Sequence, residues 1–174
     1  MSGHSKWSTI KRKKEVTDQA RGKLFSKLVK GIQVAVKVGG PNSETNNKLR
    51  MAIEQARAAN MPKENIERAL KQAEDRRSSL EEIVYEGFGP GGVAVMVEAA
   101  TDNRNRTAQE IKAIFDRSGG SLGGPGSASY AFTNGEPDYP VLLSGPEFEK
   151  VNSLKDALDE QEDVQNVYIN AKSK

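Results

Sequence analysis

Lys11-Arg12-Lys13-Lys14, preceded by Lys6 and Trp7 and followed by Arg21, Lys23, Lys27 and Lys30, are the residues of this chain best equipped for chemistry. That chemistry is ionic contact with phosphate. The first thirty residues hold nine Lys/Arg against two acids, Glu15 and Asp18, a local +7 in a chain whose total is +2. Such a field attracts polyanions, and each ammonium can neutralise a phosphate without reading a base. Seven of the nine are Lys, which suits a point contact to phosphate better than a bidentate fork on a base edge. Weak sequence selectivity is therefore expected. Trp7, the only tryptophan, has two roles open to it: stacking on a base, or packing that orders the basic stretch.

The other constellations are weaker. Asn103, Arg104, Asn105 and Arg106 stand where a strand gives way to a helix, and are read as a secondary anion contact beside free helix N–H groups. Gly119 to Gly126 looks like a phosphate-cradling loop, but no Lys-Ser/Thr follows and no helix opens after it, so it is read as a flexible loop. Gly89-Pro90-Gly91-Gly92 is read as a hairpin turn. His4 is the sole histidine and there is no cysteine, which leaves no thiolate metal site, disulfide or thiol nucleophile. The serines have no histidine partner, and Glu81-Glu82 and Glu162-Asp163 read as solvated surface. No catalytic residue, cofactor or metal site is expected, and the chain is read as a non-enzyme.

The elements that must position these residues follow from periodicity. Residues 1–16 carry no helical apolar pattern and read as a flexible basic arm. From Arg21 to Val38, Phe25, Leu28, Val29, Ile32 and Val36 share one helical face, with Lys23, Lys27, Lys30 and Lys37 opposite and Val34 misplaced among them. Gly39-Gly40-Pro41 ends this helix. A second helix is expected from Asn46 to Ala59, and a third after the break Asn60-Met61-Pro62. Asp75–Ser79 reads as a linker. Beyond it, Ile83–Phe88 and the alternating Val93, Val95 and Val97 form a hairpin. Next comes a helix through Ile111 and Phe115, with a capping box at Thr107 and Glu110. A strand at Ser127–Phe132, a helix from Pro146 and a closing strand at Val164–Ile169 complete the chain. The fold class is α+β: an N-terminal three-helix bundle, then an α/β sandwich with a mainly antiparallel sheet in the order ββαβ…αβ, helices on one face.

Charge divides the chain in the same place. Residues 1–77 hold 18 basic and 8 acidic side chains, net +10, whereas 78–174 hold 8 and 16, net −8. The expected domains are a basic helical nucleic-acid-binding domain, 1–77, and an acidic α+β domain, 78–174, whose acidic surface is available to a protein partner. No segment has the ~18 apolar residues of a membrane helix, and the expected location is the cytoplasm.

Several motifs go beyond composition. Gly3-His4-Ser5-Lys6-Trp7 with Ile10-Lys11, Arg21-Gly22-Lys23-Leu24-Phe25, Asn60-Met61-Pro62, Tyr85 through Gly92, Thr101 to Thr107, Gly119 to Gly123 and Asp163 to Tyr168 resemble the YebC/PmpR family in collinear order. The resemblance implies a basic helical N-terminal domain and an α/β domain with a third domain inserted in it. Here only a short connection near 134–145 stands at the insertion point, so the chain reads as a short form. It also implies a DNA-binding transcriptional regulator. Some members of the family, including a mitochondrial activator of cytochrome oxidase translation, instead act on the ribosome. The partner expected is thus DNA, ribosomal RNA or the ribosome.

Overall fold

In the computed structural model, the backbone of residues 2–75 and 79–174 is described, with side chains from Thr17 onward. Met1 and residues 76–78, within the expected linker, lie outside the described residues. The chain divides into two compact units, Met1–Arg76 and Arg77–Lys174.

The first unit is three helices: α1 (Ser2–Gly39), α2 (Asn47–Ala58) and α3 (Lys63–Glu74). The expected arm is corrected here, because helix runs through it from residue 2. Between Gly3 and Gly22 there is no Gly or Pro, and straight-chain Lys, Arg and Gln lose little rotamer freedom in a helix. Propensity therefore favours helix where apolar periodicity is silent. Ile32, Ala35 and Val36 of α1 meet Leu49, Ile53 and Ala56 of α2 and Ile66 and Ala69 of α3 in one core. Val34, the expected misfit in the cationic face, is buried instead. Met61, read as part of a break, also joins the core, because Asn60 accepts φ of 60° and turns the chain inward.

Asn46 ties two helix ends together. Its amide donates to the carbonyls of Ala35 and Gly40 at 2.7 and 2.8 Å, and its Oδ1 accepts the N–H of Leu49 at 3.1 Å. It thus serves the orphan carbonyls of α1 and the orphan N–H groups of α2 at once. A Cβ on Gly39 would fall 2.7 Å from this side chain, so the glycine that ends α1 also makes room for the clamp.

The second unit is a four-stranded antiparallel sheet with helices on one face. β1 (Glu81–Phe88) and β2 (Ala94–Thr101) form the expected hairpin. β3 (Ser121–Leu122) lies beside β1, and β7 (Val164–Ile169) lies beside β2. α4 (Arg104–Arg117) and α5 (Gly145–Glu160) cover Val95 and Val97 with Ile111, Phe115, Leu154 and Leu158. Gly120 is required where β3 approaches β1, since a Cβ there would sit 2.3 Å from the Phe88 carbonyl. β4 (Phe132–Thr133) pairs with β5 (Glu136–Pro137). β6 (Val141–Leu143), legible in the sequence as a short apolar strand, pairs in parallel with β8 (Ala171–Ser173), which is not.

The strand expected at Ser127–Phe132 is instead a 3-10 turn at Ser129–Ala131 followed by β4. The cause is Glu86. Its buried carboxylate accepts the N–H groups of Gly126, Ala128 and Ser129 at 2.6, 3.1 and 2.6 Å, which removes those donors from any ladder. Burial pushes the Glu86 pKa up, but the donated N–H groups of Gly126, Ser129 and Ala128 outweigh it and the net displacement is downward.

Two outcomes are expected. Asn46→Ala, which leaves helix-end groups of α1 and α2 unpaired, should destabilise the first unit by about 2 kcal/mol, read as a lower urea midpoint by circular dichroism. Glu86 has a folded pKa below its ordinary 4.5. Its contribution is complete above that value and is lost as pH falls through the depressed one. Glu86→Gln should therefore cost about 2 kcal/mol at neutral pH and flatten the loss of stability below pH 4.5. An unchanged acid limb would mean that other contacts hold the loop.

Candidate nucleic-acid interface

The cationic residues are positioned by a difference in helix length. α1 has 38 residues and spans about 57 Å, whereas α2 and α3 have 12 residues each and span about 18 Å. The partner helices cover only the C-terminal part of α1. Every residue from Thr17 to Leu24 is exposed, whereas Ile32 and Ala35 are fully buried.

Arg21 and Lys23 stand on the exposed part. Arg21 lies two turns before Leu28 and is in line with the apolar stripe, but no partner helix reaches that far. Lys27 and Lys30 are half-buried at the margin of the bundle, and Lys37 is exposed near the C-terminus. Lys6, Trp7, Lys11, Arg12, Lys13 and Lys14 are carried on the helical backbone of the first turns of α1. Their side chains, like that of His4, lie outside the described ones. At about 100° per residue, Lys23, Lys27 and Lys30 fall within about 60° of one another around α1.

A second set of cations was not singled out from the sequence. Arg50 and Arg57 of α2 are exposed and seven residues apart, two helical turns, so they share one side of the helix. Arg50 also donates to Asn47 Oδ1. The signal was available in the spacing, but acids at Glu44 and Glu54 dilute the local charge.

The expected secondary contact at Asn103, Arg104, Asn105 and Arg106 has a different setting. Asn103 caps α4, its Oδ1 accepting the N–H of Arg106 at 3.1 Å. This corrects the capping box expected at Thr107 and Glu110, both of which lie inside the helix. Asn105 is exposed on the first turn. Arg104 faces Glu81 at 3.8 Å. Arg106 faces Asp163, Asp102 and Glu162 at 3.2, 3.3 and 3.8 Å. Hydrogen bonding to Asp163 and its charge hold the guanidinium pKa up. An anion arriving here meets three carboxylates, which weighs against the contact at Arg106.

Asp163 is the reason for that arrangement. It is fully buried, not solvated surface as read from the sequence. Its Oδ2 accepts from Thr107 Oγ1 at 2.8 Å, and from Arg106 and Gln161 at 3.2 Å each. Thr107 also meets Thr101 Oγ1 at 2.8 Å, and Gln161 donates to Glu110 at 2.7 Å. One buried carboxylate thus joins the end of β2, the first turns of α4, the end of α5 and the start of β7.

Among the described residues no helix is long and apolar enough to cross a membrane, and no three His, Cys, Asp or Glu gather as a metal set.

Comparison with known proteins supplies the context. Residues 5–76 match the family described as TACO1/YebC protein N-terminal domain, and residues 80–136 match that described as TACO1/YebC second and third domain. A "Probable transcriptional regulatory protein" of Chloroherpeton thalassium is 60% identical over 134 residues, 76% of this chain and 54% of that protein. A protein of the same description from Aquifex aeolicus is 58% identical over the same shares. The chain spans about half the length of the curated relatives it matches. The crystal structure of a conserved hypothetical protein from Aquifex aeolicus superimposes with a TM-score of 0.80 at 35% identity, covering 88% of this chain and 91% of that one.

The polar node around Asp163 generates a test. Asp163→Asn should lower stability by about 1–3 kcal/mol, and Arg106→Ala should lower the urea midpoint as well. Neither should change the salt dependence of nucleic-acid binding. A slope that falls with Arg106→Ala alone would restore Arg106 as an anion contact.

Proposed function

The chain belongs to the TACO1/YebC family, and we propose that it is a non-enzymatic regulator of gene expression that binds DNA through the basic face of its first unit. The observation that carries this reading is the surplus of cations in the first thirty residues, borne on one continuous helix whose residues Thr17 to Leu24 are all exposed. A rigid helix presents its ammonium groups at fixed spacing, so less side-chain and backbone entropy is lost on binding than from a flexible tail. Lys6, Lys11, Arg12, Lys13, Lys14, Arg21, Lys23, Lys27 and Lys30 neutralise phosphates, and Trp7 stacks or orders the helix. Arg50 and Arg57 extend the surface. The description of the relatives as probable transcriptional regulatory proteins supports a transcriptional role.

A second reading keeps the same residues and changes the target to ribosomal RNA, with the ribosome as partner. The excess of Lys over Arg in the first thirty residues accommodates it equally, since it suits backbone contact on either nucleic acid. The acidic second unit offers a surface to a protein partner in both readings. The connection near 134–145 stands in for the third domain of longer relatives. Asn170 would make that possible, since it accepts the Ala94 N–H and donates to the Tyr139 carbonyl, both at 2.7 Å, closing the unit without an insertion.

Changing Lys11, Arg12, Lys13 and Lys14 together to Ala should weaken binding to a fluorescent duplex. The slope of log K against log salt should shrink by about 3–4, and an unchanged slope would overturn the assignment. Fractionation of a lysate separates the two targets. Co-migration with ribosomes that survives DNase and is lost at high salt selects the translational reading, whereas recovery on promoter DNA selects the transcriptional one.

A further inference from the structure

β7 closes one side of the four-stranded sheet, whose order is β3-β1-β2-β7. The N–H of Asn170 donates to the Ala94 carbonyl at 3.3 Å, and the same register sets Tyr168 opposite Met96 and Asn166 opposite Glu98. Alternate residues of an antiparallel pair exchange bonds with the partner strand. Asn166 and Tyr168 therefore turn their backbone groups toward β2, as does the Asn170 N–H, whereas the Asn170 carbonyl accepts the Val141 N–H of β6 at 2.7 Å; Gln165, Val167 and Ile169 turn theirs outward. Among the described residues no strand pairs with β7 on that side. Sheet edges are ordinarily blunted by Lys, by Pro or by being very short. The opposite edge, β3, is two residues long. β7 is six residues long, Val164-Gln165-Asn166-Val167-Tyr168-Ile169, with no charge and no proline.

A groove of about 290 Å³ runs beside this edge, with Phe148, Val151 and Lys155 of α5 on one wall and Val167, Tyr168 and Ile169 along the strand. Asn152 adds a polar group to this lining, and Lys155 is already paired with Asp159 at 2.7 Å, so the groove has an apolar floor with a neutralised rim. On the other face of the strand, Glu98 accepts from Asn166 at 3.0 Å and from Tyr168 at 3.3 Å. Residues 78–174 as a whole carry net −8. Backbone complementarity, an apolar slot and negative charge thus coincide along one line.

We propose that the β7 edge is a docking site for an extended basic segment of a partner protein, which adds as a further strand. Its apolar side chains enter the groove beside Val167 and Ile169, and its alternate Lys or Arg side chains reach toward Glu98. Main-chain bonds supply affinity and the alternating pattern supplies selectivity. A second copy of this chain is a poorer occupant, because edge-to-edge pairing would bring two acidic units together.

The test uses the whole chain and an eight-residue capped peptide alternating Lys and Val, followed by amide hydrogen exchange. Addition of the peptide should slow exchange at Val167 and Ile169 at least tenfold. Replacing Lys by Glu in the peptide, or N-methylating its edge-facing amides, should weaken binding at least tenfold. N-methylation of the other set of amides should leave binding intact. Equal binding of the acidic and basic peptides, insensitivity to N-methylation, or protection elsewhere than 165–169 would overturn the proposal. Protection of the same amides that grows with protein concentration and needs no peptide would also overturn it, in favour of a second copy on this edge.

Discussion

The first unit depends on one apolar seam holding against its own charge. Residues 1–77 carry net +10, and like charges at that density oppose a compact state. What holds is the packing of Ile32, Ala35 and Val36 into α2 and α3, at roughly 1.5–3 kcal/mol for each large aliphatic side chain buried. Asn46 then joins the end of α1 to the start of α2, so the seam cannot slide without losing three hydrogen bonds. With that end of α1 fixed, Thr17 to Leu24, including Arg21 and Lys23, remain exposed beyond the reach of α2 and α3.

The second unit solves the opposite problem, that of negative charge inside a small core. Glu86 and Asp163 are both buried, and a buried carboxylate persists only if hydrogen bonds replace its water. Glu86 takes backbone N–H groups from the glycine-bearing loop. Asp163 takes a hydroxyl and a guanidinium from α4 and an amide from the end of α5. The features of this unit that look anion-seeking in sequence are therefore already satisfied from within. The loop amides have an internal carboxylate where a phosphate might have been imagined, and Arg106 has Asp163. This internal use of the acceptors and donors, more than any single charge, directs attention to the first unit for external anions.

Strongly periodic elements were legible in the sequence, and so was the division of charge. α2 and α3, the β1–β2 hairpin and the helix after Pro146 follow from spacing and from turn residues, because each is decided by neighbours within a few positions. The missed elements each depend on distant partners. β8 was missed because it pairs with β6, the short strand legible at Val141–Leu143, across thirty residues, and the turn at Ser129–Ala131 exists because Glu86, more than forty residues earlier, captures its amides. The first turns of α1 were missed for another reason: propensity, not burial, favours helix there, and a search for an apolar face is blind to it.

The amino-acid sequence by itself determined the charge asymmetry, the absence of a thiol or histidine-centred catalytic set, and the family likeness, since all three are properties of residue identity and order. Only the tertiary structure decided which charges face solvent and which are consumed internally. Arg21 lies in line with a buried stripe and is exposed, whereas Asp163 lies in an acidic pair and is fully buried. The physical reason is that solvation is set by how far neighbouring elements extend, and that distance is written in no local pattern.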